Sequence, residues 1–274
     1  MSLNGNSGGG LNVSLRRGDW FVLSLLGVVI ALSWLYLLSG AGLGMDTVMM
    51  SSAEFPPPRM MSHHHEMTWG AEYSALVFVM WWLMMVAMML PSAAPLVLIY
   101  NRMYQARGKG AAAPAAMGST WLFVAGYILA WGGFSFCATL LQAVLEDLHL
   151  VHPMMMWSLS KTLTALLLIL AGVYQWTPLK EKCLKNCRSP IDFLTRNWRK
   201  GRWGPLWMGV HHGIYCLGCC WFLMGLLFAG GVMNLFWITG LAVFVLIEKV
   251  IPAGQWFGRL AGLGMATWGV WMLI

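Results

Sequence analysis

The chain has 274 residues, 59% of them apolar and 10% charged, with a mean hydropathy of +0.66. A soluble domain of this size carries about 25% charged residues, so the composition excludes an ordinary soluble globular protein. The net charge of +7 does not indicate nucleic acid, because the basic residues are confined to a few segments between apolar runs.

The first 15 residues, rich in Gly, Asn and Ser, read as a disordered tail ahead of one transmembrane helical domain over 16–274. A hydrocarbon layer about 30 Å thick requires roughly 20 apolar residues per helix. On that measure spans are expected at Trp20–Leu38, Tyr73–Tyr100, Gly118–Leu145, Pro153–Trp176, Leu206–Gly230, Val232–Ile251 and Trp256–Ile274. The expected fold is therefore all-α, a polytopic membrane bundle of seven helices. Six spans and one irregular segment is the alternative, because the last three are joined by very short turns. The first span lacks a small-residue cleavage site and reads as an uncleaved helix. Pro91 and Pro95 predict a kink or an end in the second.

Seven alternating spans put fifteen of the seventeen Lys and Arg residues on one side, leaving Arg59 across from them and Lys161 within a span. By the positive-inside rule the N-terminus is cytoplasmic, and the expected location is a bacterial inner membrane. Eight of the fifteen crowd the loop Thr177–Pro205, which reads as too short for a stable core of its own. No phosphate-binding loop, nucleophile elbow or carboxylate pair is visible, so the chain does not read as an enzyme.

The fifth span contains the sequence GVHHGIYCLGCCWFLMG. Residues three and four apart share a helix face, so His212, Cys216 and Cys220 form one stripe, with His211 and Cys219 on its edge. Thiolate and imidazole together suit Cu(I) or Zn(II), and thioether beside them tilts the choice to copper. A buried cysteine usually packs as a small hydrophobe, but two His and three Cys within one apolar span exceed what packing requires. Cys183 and Cys187 sit four apart in the basic loop, and a reducing compartment favours metal capture there over a structural disulfide. In the second span Met84 and Met88 lie on an i, i+4 stripe, readable either as interhelical filler or as a thioether ladder for Cu(I). The tract His63, His64 and His65, flanked by Met and Glu66, is a candidate outer collector of copper. Lys161 is expected to snorkel or to pair with Glu146 or Asp147, and Glu248 and Lys249 to pair near the solvent boundary.

The segments MMVAMMLPSAAP, GVYQWTPLKEKCLKNCRSP and GIYCLGCCWFLMGLLFAGGVMNLFWITGLAVFVLIEKVIP resemble a bacterial family of predicted metal-binding integral membrane proteins. The resemblance implies that the chain handles a metal, and some members look like accessory proteins supplying copper-dependent oxidases. It carries Cys183, Cys187, His212, Cys216, Cys219 and Cys220 over as ligands, and it says nothing of the His63–His65 tract. The leading reading is a bilayer-embedded copper protein serving a copper-dependent oxidase or monooxygenase. Two others compete: a packing subunit of such a complex, and a thiol redox protein built on the C-x-x-C spacing of Cys216 and Cys219.

Overall fold

The computed structural model describes residues 17–42, 47, 51, 69–107, 113–153, 156–251 and 253–274. The expected N-terminal tail and the His63–His65 tract lie outside the described residues. In chain order the helices are α1 (Arg17–Leu38), α2 (Ala71–Arg107), α3 (Ala113–Asp147), α4 (Lys161–Tyr174), α5 (Pro178–Arg188), α6 (Pro190–Arg196), α7 (Gly204–Gly225), α8 (Leu227–Gly230), α9 (Leu235–Val250) and α10 (Gly254–Leu273). Among the described residues there is no strand beyond one isolated bridge between Val151 and Ser158.

The fold is all-helical, as expected. Four stretches are long and apolar enough to cross a membrane: Gly18–Leu38, Ala71–Arg107, Ala116–Asp147 and Gly204–Gly230. Helices α4 and α5, bent by 65° at their junction, make a fifth if they are counted as one broken span. Helix α9 has only 16 residues, and α10 is diluted by five glycines. The structure itself thus supports four to five membrane-length helices.

Three expected boundaries move, each for a local reason. The fourth expected span becomes helical only at Lys161, where Ser160 caps α4 by accepting from the Leu163 N–H at 3.3 Å. The sixth apolar run becomes helical only at Leu235, where Asn234 Oδ1 accepts from the Phe236 N–H at 3.1 Å. Helix α2 continues through Pro91 and Pro95 rather than ending there.

The largest change is in the basic loop. Within the segment expected as a loop, Pro178–Arg188 and Pro190–Arg196 form two helices, α5 and α6. Thr177 caps α5 and Pro178 occupies its first turn, which is a favoured helix start. Helix α5 packs chiefly against α7, burying Leu184 and the side chain of Lys180.

Close backbone approach sets the helix crossings. A Cβ at Gly209 would collide with the Phe123 carbonyl, and one at Gly126 with the Leu206 carbonyl, so α3 and α7 touch backbone to backbone. Gly172 of α4 meets Gly262 and Ala266 of α10 in the same way. The small residues that look available in the sequence, Gly225, Gly230 and Gly231, do not make these crossings: Gly225 faces open space and Gly230 lies under Trp237.

The bundle has two chemically distinct ends. Arg102 binds the buried carboxylate of Asp19 at 2.9 Å, joining the end of α2 to the start of α1. Arg188 donates to the Ile251 carbonyl at 2.7 Å and Arg259 reaches Glu181 at 3.4 Å, so the basic segments gather at one end. At the opposite end Glu146 accepts from Trp69 Nε1 at 3.0 Å and from Gln142 Nε2 at 2.8 Å. Lys161 is exposed at the first turn of α4, with no carboxylate partner among the described residues, and Cys137 points out of α3 into exposed space.

Candidate metal centre

Helix α7 turns one face inward, and that face carries His212, Cys216, Cys219 and Cys220, each 3% exposed or less. His211, one residue earlier and therefore about 100° around the helix, leaves this face. Its ring packs at 5.0 Å from Tyr215 and 6.0 Å from Phe193.

The three cysteines of α7 do not converge as a ready-made claw. The thiols of Cys219 and Cys220 both turn back onto the Cys216 carbonyl, at 3.0 Å each. Among the described residues no three His, Cys, Asp or Glu side chains already form a metal-binding set. The stripe expected on α7 is therefore present as a buried face, and a partner helix has to complete any coordination.

A second helix supplies the missing sulfur. Cys183 and Cys187 lie one turn apart on α5, on the side that meets α7. Cys187 lies close enough to Cys216 and Cys219 for the three thiols to perturb one another. Cys183 Sγ sits against Gly218, so closely that a Cβ there would be 2.6 Å from it. The Gly218 carbonyl also accepts a hydrogen bond from Tyr174 Oη, which pins α4 to the same turn. Five of the six cysteines thus share one patch between α5 and α7.

Polar groups surround Cys216. Lys249 Nζ of α9 donates to its Sγ at 2.9 Å and to Ser92 Oγ of α2 at 3.1 Å. Tyr127 Oη of α3 lies 3.1 Å from the same sulfur and donates to the Met89 carbonyl at 3.2 Å. His212 is packed at 5.1 Å from Phe193 and 5.7 Å from Tyr127, and its Nδ1 has no hydrogen-bond partner. A buried ring nitrogen with no partner is costly in an apolar setting, and a bound ion would satisfy it.

A cavity of about 190 Å³ opens beside the patch at the basic end of the bundle. Its lining includes Cys187, His212, Lys249, Arg188 and Ser92, so it reaches the patch at Cys187. It has room for an ion with a few waters.

Met84 and Met88 are buried inside the bundle, at 0% and 2% exposure, and so do not face lipid. Met84 lies five residues before Met89, about 7 Å further from the basic end along α2. Lys249 is the residue whose importance the sequence hides. It looks like half of a Glu248–Lys249 pair near solvent, but Glu248 is 2% exposed and binds Lys180 at 2.6 Å instead.

A family model described as PpoB2, a copper chaperone, matches residues 78–272 and so includes every residue of this patch. No curated protein and no solved structure matches the chain.

Proposed function

The chain belongs to the PpoB2 copper chaperone family, and from that premise we propose that it carries Cu(I) across or within a bacterial inner membrane and hands it to a copper-dependent oxidase or monooxygenase. In this reading the protein is multi-pass, with α9 and α10 embedded beside the longer helices to complete seven passes and the basic end facing the cytoplasm. It catalyses no reaction; copper is its cargo.

The observation that carries the reading is the meeting of two cysteine pairs that lie about thirty residues apart in sequence. Cys187 of α5 lies close to Cys216 and Cys219 of α7 beside the unpartnered Nδ1 of His212. Soft sulfur donors select Cu(I), and a d10 ion of that charge is held by as few as two thiolates. A set with few ligands holds copper without trapping it, because an incoming donor finds an open position. Zinc favours four ligands in a tetrahedron, which this patch would assemble only by reorganising Cys219 and Cys220.

The cavity beside Cys187 and His212 is the mouth through which copper exchanges at the basic end. Buried Met84 and Met88 extend the soft-donor route toward the opposite end, where the His63–His65 tract would collect or release the ion. The packing-subunit reading leaves five thiols, an imidazole and an ammonium gathered in one place without a use. The redox reading draws on the same Cys187–Cys216 proximity, because an oxidant would join those sulfurs.

The test uses the whole chain, purified in detergent, reduced, and loaded with Cu(I) without oxygen. The wild type should retain about one copper per chain through gel filtration, and a C187S/C216S variant should lose it while keeping its helical circular dichroism. A wild type that binds no copper sinks the proposal. Loss of two titratable thiols on mild oxidation, with no copper bound, would favour the redox reading.

A further inference from the structure

Two lysines are buried at the basic end, and their surroundings differ. Lys180 has its charge cancelled: its ammonium binds Glu248 at 2.6 Å and Gln175 Oε1, with both charged side chains at most 3% exposed. Lys249 has no carboxylate partner among the described residues. Its contacts are Ser92 Oγ at 3.1 Å and Cys216 Sγ at 2.9 Å, with Tyr127, Cys219 and Cys220 close by. The other groups facing this spot are His212 from α7 and, at the cavity mouth, the half-buried Arg188, which is bound to the Ile251 carbonyl. A buried ammonium without a carboxylate is expensive unless an anion completes it.

We infer that Lys249 is the residue that makes the sulfur site select monovalent over divalent metal ions, by supplying the one positive charge that a two-thiolate complex of a monovalent ion lacks. The inference deepens the copper reading above and rests on it. Two thiolates around a +1 ion carry a net charge of −1, which Lys249 brings to zero. Two thiolates around a +2 ion are already neutral, and Lys249 then remains an uncompensated cation in an apolar interior. Glu248 cannot relieve it, because Lys180 occupies that carboxylate. Ser92 offers a neutral oxygen, which orients the ammonium without cancelling its charge. Discrimination by charge fits the setting, since Zn(II) and Cu(I) both accept thiolate ligands and differ by a full unit of charge.

Ag(I) and Cd(II) isolate the effect, because both are sulfur-seeking d10 ions and they differ in charge. The measurement is the Ag(I)-to-Cd(II) affinity ratio of the reduced, detergent-purified chain, by competition against a chelator and elemental analysis. Removing the charge in Lys249→Met, or in Lys249→Gln with a donor retained, should lower the ratio at least about tenfold, as expected for one unit charge within about 5 Å. Lys249→Arg keeps the charge and should stay within about threefold of the wild type. A folded Met or Gln variant with an unchanged ratio overturns the inference. So does a wild type that binds Cd(II) as tightly as Ag(I), a result that needs no variant at all. A wild type that binds neither Cu(I) nor Ag(I) would defeat the underlying copper reading instead.

Discussion

The two ends of α9's last turn make different uses of buried charge. Glu248 points into a closed pair with Lys180, walled by Gly254 and Gly258, where an added Cβ would run into Glu248 itself. Lys249 points the other way, into the sulfur patch, and its contacts there are a hydroxyl and a thiol. Adjacent residues on a helix are about 100° apart, so the two side chains cannot share one partner. The Lys180–Glu248 ion pair is closed and holds α5 against α9, although Gln175 Nε2 beside it has no hydrogen-bond partner. The sulfur patch has room beside it, an unpartnered imidazole and a cation without a carboxylate. A buried charge that is fully answered reads as architecture, and one that is not reads as a place for a ligand.

Breaking the closed pair should have the largest effect. Glu248→Ala leaves Lys180 buried and uncompensated, and is expected to cost about 3–5 kcal/mol of stability. Thermal unfolding in detergent would show it, and a Lys180→Met/Glu248→Leu double variant should recover most of the loss. If the single variant unfolds like the wild type, the pair is not the lock described here.

The open region should behave in the opposite way. Cys187→Ser is expected to leave the unfolding temperature within a few degrees of the wild type, because Cys187 is only half-buried at the cavity wall. Its Cu(I) affinity should nevertheless fall by at least about a hundredfold, as one of very few soft ligands is replaced by a hard oxygen. Equal copper binding by the Ser variant would move the site away from α5. Between these two extremes lies Gly209→Ala, whose Cβ meets the Phe123 carbonyl. It should separate α3 from α7 at a cost of about 1–3 kcal/mol and loosen the contact of Tyr127 with Cys216. Unchanged stability in that variant would mean that the two helices do not approach as closely as described.

Much of the fold was legible in the sequence because hydropathy reports burial directly. Helices α1, α2, α3 and α7 fall close to their expected spans. Hydropathy does not report helicity, which is why the span expected from Pro153 becomes helical only at Lys161. Helix α5 was hidden for the converse reason: its Lys residues lower its hydropathy, although Thr177–Pro178 is a readable start signal. Each cysteine pair was legible by spacing alone. Their meeting was not, since it depends on a 65° bend between α4 and α5 that no local pattern encodes. The inward choice of His212 over His211 depends in the same way on where Phe123 and Phe193 pack.

The smallest effect belongs to Tyr127, which joins α3 both to α2 and to the sulfur patch. Its hydroxyl has one proton and two neighbours, the Met89 carbonyl at 3.2 Å and Cys216 Sγ at 3.1 Å. In the metal-free protein the phenol donates to the Met89 carbonyl, with Cys216 Sγ as its second neighbour. Once Cys216 holds copper its sulfur carries negative charge, and the phenol proton gains by turning toward it. Tyr127→Phe should therefore lower the stability of the metal-free protein by about 0.5–1.5 kcal/mol, the worth of one ordinary buried hydrogen bond. In the copper-loaded protein the loss should be larger, because a charge-assisted bond is worth roughly twice a neutral one. Comparing the unfolding of Tyr127→Phe with and without Cu(I) checks this, and an equal loss in both states would mean that the phenol serves the α2–α3 contact alone.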